Sequence, residues 1–438
     1  MKTKAHSFEP RTAQCPMSLG EVDLFAPGAQ AHWFDSYRIM HKEAPVFRVE
    51  GGGDVPGSDA FILTKFEDIQ SVVKDPERFP TVSDEANGLS AVEAEVIGSK
   101  GFGEAVNARR SLRPDIETHK LHRKVLTDPW VGPPGASRHE KMIVDVANSL
   151  VDGWIENHEV ELVSQFAAPL PQTVITKIIG FPLEDMPVLR RWDEAQVRRF
   201  VYGKTHRSLL SEEEERENAK ALAEFHEYTQ HHIDIKRTSP VDDMISYLIS
   251  VRYGPEMRAL SDGEIISVIY GMHIGGNETT QYALTAQAML LAEDPDLFEM
   301  LRSDRSKVPL FVEEAMRLYS PTQGLSSRRA AEDVEIRGVR IPQGSLLHLR
   351  YGAGNRDEEK YPNPEEIDLD RRAITAHLTF SQGVRSCPGA ALSRAEQIAG
   401  VNVMLDRLKN LRPAPGKNTF ELQPGIMLGL YALHLEFD

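Results

Sequence analysis

The sequence predicts a mainly α-helical fold with small β-sheets, formed as one domain over residues 1–438. Three features of the chain predict it. Helical hydrophobic spacing dominates from about residue 115 onward. Strand-like runs are few and short. No repeat, long linker or change of composition divides the 438 residues. Residues 1–20 are polar and are expected to form a mobile N-terminal segment.

The first elements are strands. Val46–Val49 and Ala60–Leu63 flank the Gly-rich stretch G-G-G-D-V-P-G-S-D, residues 51–59. A phosphate loop would open a helix, whereas this one leads into a second strand, so a hairpin is expected. Gly101-Phe102-Gly103 has no strand before it and fails as a dinucleotide loop. Helices are expected near 116–129, 138–157, 171–179, 211–236, 241–252, 261–293, 309–319 and 388–409. Strands are expected at 333–341, 345–350 and 428–436.

Two helix starts carry capping boxes, Ser211 with Glu214 and Ser261 with Glu264. The first opens a charged, solvated helix; its His226, His231 and His232 lack the further ligands that a metal site needs. From Ser261 one helix is expected to run to Glu293 across the core, about 50 Å long. Gly275-Gly276 sits in its middle, where each glycine costs about 1 kcal/mol relative to alanine. Glycines there let another flat body approach, and polar Asn277, Glu278, Thr279 and Thr280 follow them.

Composition narrows the function. Fifty basic against 66 acidic residues give a net charge of −16, a poor match to nucleic acid. No run of 18 apolar residues spans a membrane, and the N-terminus has no secretory apolar region. Cys15 and Cys387 make no disulfide framework, so a reduced, cytoplasmic setting is expected. Asn277-Glu278-Thr279 matches the glycosylation sequon but has no route to secretion.

The stretch F-S-Q-G-V-R-S-C-P-G-A, Phe380 to Ala390, puts Cys387 just before a predicted helix that Pro388 opens. Amide groups and the helix dipole there favour a thiolate. Such a sulfur can attack a substrate, bind a metal, or be an inert buried residue. One cysteine without a C-x-x-C companion cannot build a zinc site, but it can hold a haem iron. As a nucleophile it would need a base, and nearby His377 has no evident orienting acid.

The pattern F-x-x-G-x-R-x-C-x-G, carried by Phe380, Gly383, Arg385 and Cys387, resembles the cysteine loop of the cytochrome P450 superfamily, soluble bacterial type. Ser381 stands where that family usually has glycine, and a serine is tolerated there if the local turn has ordinary dihedrals. Arg385 replaces the commoner histidine. Three further segments are similar. Glu314 and Arg317 match the family's structural E-x-x-R pair, and the run Asn355 to Pro364 matches its next segment. G-G-N-E-T resembles the oxygen-binding motif, with Glu278 and Thr279 as the acid–alcohol pair and Glu in place of the commoner Asp. His119, Arg123 and Arg328 match positions that contact the haem propionates.

The resemblance implies a b-type haem with Cys387 as axial ligand and the long central helix crossing it. Phe380, Gly383, Gly275, His119, Arg123, Arg328 and Arg385 would surround the cofactor, and Glu278 and Thr279 would serve catalysis. It implies a monooxygenase that puts one oxygen atom of O2 into a lipophilic substrate of terpenoid, steroid or aromatic class. Electrons would come from a separate ferredoxin and its reductase, docked near Arg123, Lys124 and Arg394. Gly271, Ile274, Gly324, Leu325 and Met427 would line the substrate pocket. A peroxide-driven haem-thiolate enzyme and a non-catalytic haem sensor or carrier are the alternatives.

Overall fold

The computed structural model describes residues 15–26, 28–54, 57–82, 91–202, 210–324, 327–423 and 427–438. Most of the expected N-terminal segment therefore lies outside the described residues. The predicted hairpin is present: Val46–Val49 pairs antiparallel with Ala60–Leu63, Val46 opposite Leu63. Ala60–Leu63 is buried throughout, because Leu346–Leu349 pairs with it in parallel on its other side. Ser327–Arg329 completes this four-stranded sheet. Its short run S-R-R carries no apolar alternation, so the sequence did not announce it. The stretch 333–341 is a hairpin, Val334–Ile336 with Val339–Ile341, turning on Arg337 and Gly338, both at positive φ. Of 428–436 only His434–Glu436 is a strand, held between Arg412–Pro413 and Glu159–Glu161.

Helices form at Pro133–Asp152, Pro169–Ile179, Glu212–Thr238, Met244–Ser250, Val308–Leu318 and Ala390–Arg407, close to their expected spans. Both capping boxes close, with Ser211 accepting from Glu214 N and Ser261 from Glu264 N. The helix expected at 116–129 is instead Ile116–His122, a π-helical turn Arg123–Thr127, and Asp128–Val131. Helices at Trp33–Glu43, Phe66–Lys74, Ala91–Ser99, Gly103–Leu112, Met186–Tyr202 and Pro295–Ser303 were not expected. Met186–Tyr202 places charges on several faces, which hides its period.

The long helix expected over 261–293 is two helices. The first, Asp262–Gly275, ends at the glycine pair, and the second, Glu278–Glu293, begins two residues later. Asn277 at φ −102°, ψ −85° is not helical. Side chains replace the lost backbone bonds: Asn277 Nδ2 donates to His273 O at 3.0 Å, and Thr279 Oγ1 to Gly275 O at 3.3 Å. Counting apolar residues predicted continuity, but the glycines and these two side-chain bonds favour the break.

The second helix runs through the core, with Leu284, Ala288 and Leu291 fully buried. It is tied to Ala390–Arg407 by Gln287 Nε2 donating to Gln397 Oε1 at 2.6 Å, and by Thr280 and Ser393 hydroxyls 2.8 Å apart. The helix that follows Cys387 is thereby locked to the helix that follows the break. Among the described residues, no helix is long and apolar enough to cross a membrane.

Candidate active site

The cysteine loop is built on two left-handed residues. Gly383 has φ +72°, and a Cβ there would stand 2.8 Å from Val73 O, so only glycine fits. Ser381 has φ +56°, so the turn lacks the ordinary dihedrals that a serine readily tolerates. A left-handed conformation costs a non-glycine residue about 1–2 kcal/mol. The 3.0 Å hydrogen bond between the Ser381 and Tyr351 hydroxyls offsets part of that. Cys387 N donates to Phe380 O at 2.8 Å and Ser386 N to Gly383 O at 3.1 Å, closing the loop on itself.

Cys387 is half-buried, and its sulfur receives the amides of Gly389 and Ala390 at the start of the Ala390–Arg407 helix. Burial is the largest influence and holds the thiol above its ordinary value. The two amides and the charges of Arg123 and Arg394 pull the other way without overcoming it. The amides at the helix start thus favour the thiolate as expected, but burial outweighs them, and a bound cation at the sulfur would have to complete it.

Of the expected propionate partners, Arg123 lies at the loop: its Nη1 donates to Ser386 O at 2.6 Å and its Nε pairs with Asp128 at 3.2 Å. His119 is buried on Ile116–His122, whose helix packs against the Gly383–Arg385 turn that carries half-buried Arg385. Arg328 is buried in its strand, with Nη1 donating to Ser327 O at 3.1 Å. Phe380 is half-buried, and the Arg394 guanidinium stacks 4.5 Å from its ring centroid.

Arg394 is committed elsewhere than expected. It pairs with Glu313, its Nη2 donating to Oε2 at 2.9 Å, so it is not an open docking cation. His377 Nε2 lies 3.1 Å from the same carboxyl, which supplies the orienting acid missing from the sequence reading. Its Nδ1 accepts from Thr379 N at 3.3 Å. Both ring nitrogens are thus engaged, leaving none to serve Cys387 as a base.

Burial alone would raise the Glu313 carboxyl; Arg394 and His377 outweigh it and hold it down at about 2. A depressed carboxylate stabilises the fold above its ordinary value of 4.5 and loses that contribution as pH falls towards about 2. Glu313→Gln is expected to cost about 3 kcal/mol at pH 6. The gap to the wild type should shrink at pH 3 in urea unfolding; a gap independent of pH would contradict this origin.

At the helix break the two glycines differ. No heavy atom lies within 4 Å of a Cβ placed on Gly275 or Gly271, whereas one on Gly276 would meet Ile175 at 2.9 Å. Gly275 thus faces open space and Gly276 packs the core. Glu278 stands just past the break and accepts from Tyr282 Oη at 2.9 Å. Burial pushes its carboxyl up to about 7, with the Tyr282 bond opposing. Of the expected pocket residues, Ile274 is half-buried beside Gly275, Gly324 is buried against Arg350, and Met427 is buried with Tyr282 and Val197. Leu325 lies outside the described residues.

Glu314 and Arg317 form a fully buried pair, Arg317 Nη2 to Glu314 Oε1 at 2.7 Å and Nε to Oε2 at 2.8 Å. Arg371 Nε joins at 2.9 Å, a third member the sequence reading missed. Its only signal was the Arg371-Arg372 doublet downstream of the motif. Glu313 was missed too, hidden behind its neighbour Glu314.

A thiol backed by two amides, and His119, Arg123 and Arg385 on elements that meet at the loop, suit a flat, twice-anionic porphyrin with a sulfur ligand. The comparisons agree. Residues 98–431 match the Cytochrome P450 family. Cytochrome P450 107B1 of Saccharopolyspora erythraea is 30% identical over 92% of this chain and 93% of its own. Steroid C26-monooxygenase of Mycobacterium tuberculosis is 27% identical over 92% and 93%. The crystal structure of P450BioI in complex with hexadec-9Z-enoic acid ligated acyl carrier protein superposes with a TM-score of 0.80, covering 93% of this chain and 99% of that one at 24% identity. The chain belongs to the cytochrome P450 family and is a monooxygenase.

Proposed function

We propose that the chain hydroxylates a lipophilic small molecule of terpenoid, steroid or aromatic class, with O2 and with electrons from a separate ferredoxin and its reductase. The observation that carries this reading is the broken helix, where an open face at Gly275 meets an acid and an alcohol placed one after the other. Cys387 would ligate a b-type haem, which supplies the O2 and C–H chemistry when bound. His119, Arg123, Arg328 and Arg385 would neutralise its propionates, and Phe380 would shield the sulfur.

The chain's own work is proton handling and substrate shape. Oxygen transfer leaves one oxygen atom as water and consumes two protons, which must cross a dry site. Thr279 hangs from Gly275 O and can turn its hydroxyl towards the open face. Glu278, held by Tyr282, is part protonated near neutrality and can resupply it. Turnover limited by this step is expected to fall as pH rises through about 7, because the protonated form is full below that value and lost above it. Glu278→Gln should slow product formation by roughly a hundredfold, and Thr279→Val should lower product formed per O2 consumed.

Gly271 and Ile274 present small or apolar surface, which favours a lipophilic substrate. For the redox partner, Lys124 is an exposed cation beside the loop, while Arg394 is taken up by Glu313. Ferric spin-state titration with a steroid, terpenoid and carboxylic-acid panel tests the substrate class; binding of polar acids alone would overturn it. Faster product formation with hydrogen peroxide than with NADPH, ferredoxin and reductase would instead favour the peroxide-driven reading.

A further inference from the structure

The helix Met186–Tyr202 lays a second carboxyl against the break. Asp193 is 4% exposed, and its Oδ1 has no hydrogen-bond partner among the described residues. Beside it stand the Asn277 side chain and the Glu278 carboxyl. Asn277 Nδ2 gives one N–H to His273 O and has a second for the Asp193 carboxyl, whereas its Oδ1 is buried without a partner. Among the described residues, Asp193 Oδ1 and Asn277 Oδ1 are thus two buried acceptors left without a donor. Buried acceptors in such a pair are destabilising unless a donor arrives. One proton on Asp193 answers both, since a carboxylic O–H can donate to Asn277 Oδ1.

The surroundings favour that proton. Burial, and then the charge of Glu278, push Asp193 well above the carboxylate range. Arg190, which both carboxyls feel, is exposed and pairs with Glu194 at the surface at 3.0 Å. Tyr282 faces the pair from the second helix and stays protonated, held up by burial and by Glu278. His273 is pulled down to about 4 by burial and is neutral. Two adjacent buried carboxyls without a buried cation cannot both ionise, so they share protons unequally.

We propose that Asp193 is a positioning residue for proton delivery, a buried proton store that recharges Glu278 across Asn277 after Glu278 has passed its proton towards Thr279. This rests on the reading of Glu278 and Thr279 as the proton-handling pair. In the step the Asp193 O–H bond breaks and the Glu278 O–H bond forms; no electrons move. The Asp193 carboxylate then regains its proton from solvent on the side of exposed Glu194.

The test uses the holoenzyme and the variants Asp193→Asn, Asp193→Glu and Glu278→Gln. Infrared difference spectra over a pH titration read the protonated carboxyls directly. At pH 7 the wild type is expected to show a protonated carboxyl band that Asp193→Asn removes. Dioxygen consumption with NADPH and a surrogate plant-type ferredoxin and reductase, in H2O and D2O, gives the kinetic readout. Asp193→Asn is expected to slow it about tenfold, raise the solvent isotope effect and shift the pH profile, with Asp193→Glu restoring part of each. Asp193→Asn with a wild-type isotope effect and pH profile, while Glu278→Gln is slow, overturns the role of Asp193 alone, whatever the variant's stability. No protonated carboxyl lost in Asp193→Asn overturns it equally. Glu278→Gln at wild-type rate overturns the acid–alcohol reading, and this proposal with it.

Discussion

Cys387→Ala is expected to abolish the strongly red-shifted Soret band of the reduced, carbon monoxide-bound protein. The band reports a thiolate on the iron, and Cys387 is the sulfur that the loop presents between two amides and two arginines. Cys15→Ser should leave the band intact, since Cys15 is exposed with its sulfur 3.3 Å from Asp35 Oδ2. Absorption spectra of the purified protein, reduced with and without carbon monoxide, decide it. Persistence of the band in Cys387→Ala would remove Cys387 from the metal and undo the reading of the loop. Haem retention without the band would mean that the cradle binds porphyrin through His119, Arg123 and Arg385 with the axial sulfur gone.

Arg317→Ala is expected to cost about 3–5 kcal/mol, the range for removing one partner of a buried ion pair. The loss has three parts. Glu314 would keep only Arg371 as a charged partner. The carbonyls of Asn355 and Pro364 would lose their guanidinium donors at 2.9 and 2.7 Å, and that of Glu366 would keep the Arg371 donor alone. The Tyr361 ring, 5.2 Å from the guanidinium carbon, would face a void. Arg317→Lys should recover little, because an ammonium cannot span two carboxylate oxygens and three carbonyls from one planar fork. Urea unfolding of the haem-loaded protein measures this. A cost below about 1 kcal/mol, the worth of an exposed pair, would contradict the structural role. Because Asn355 also donates to Ser320 and Thr379 beside the loop, haem occupancy should fall together with stability.

Much of the site was legible because its residues lie close together along the chain. The ten residues from Phe380 to Gly389 contain the loop's glycine, its basic residue and its sulfur. Glu314 and Arg317 are one helical turn apart, so spacing alone predicted their contact. The capping boxes at Ser211 and Ser261 were legible for the same reason. Reading failed where partners are distant in sequence or where backbone geometry decides. Asp193 meets Asn277 only after two helices pack. Glu313 pairs with His377 and Arg394, 64 and 81 residues away. The break at Gly276-Asn277 was read as a continuous helix because apolar residues continue beyond it.

The sequence by itself determined the α-dominated class, the cysteine loop and the Glu314–Arg317 pair, since each depends on side-chain identity at short spacing. Only the tertiary structure decided which carboxyls are buried beside one another, which arginines are already committed and that burial opposes the amides at the Cys387 sulfur. Those outcomes depend on burial and on through-space charge, and both are set by packing between segments that the chain brings together only when folded.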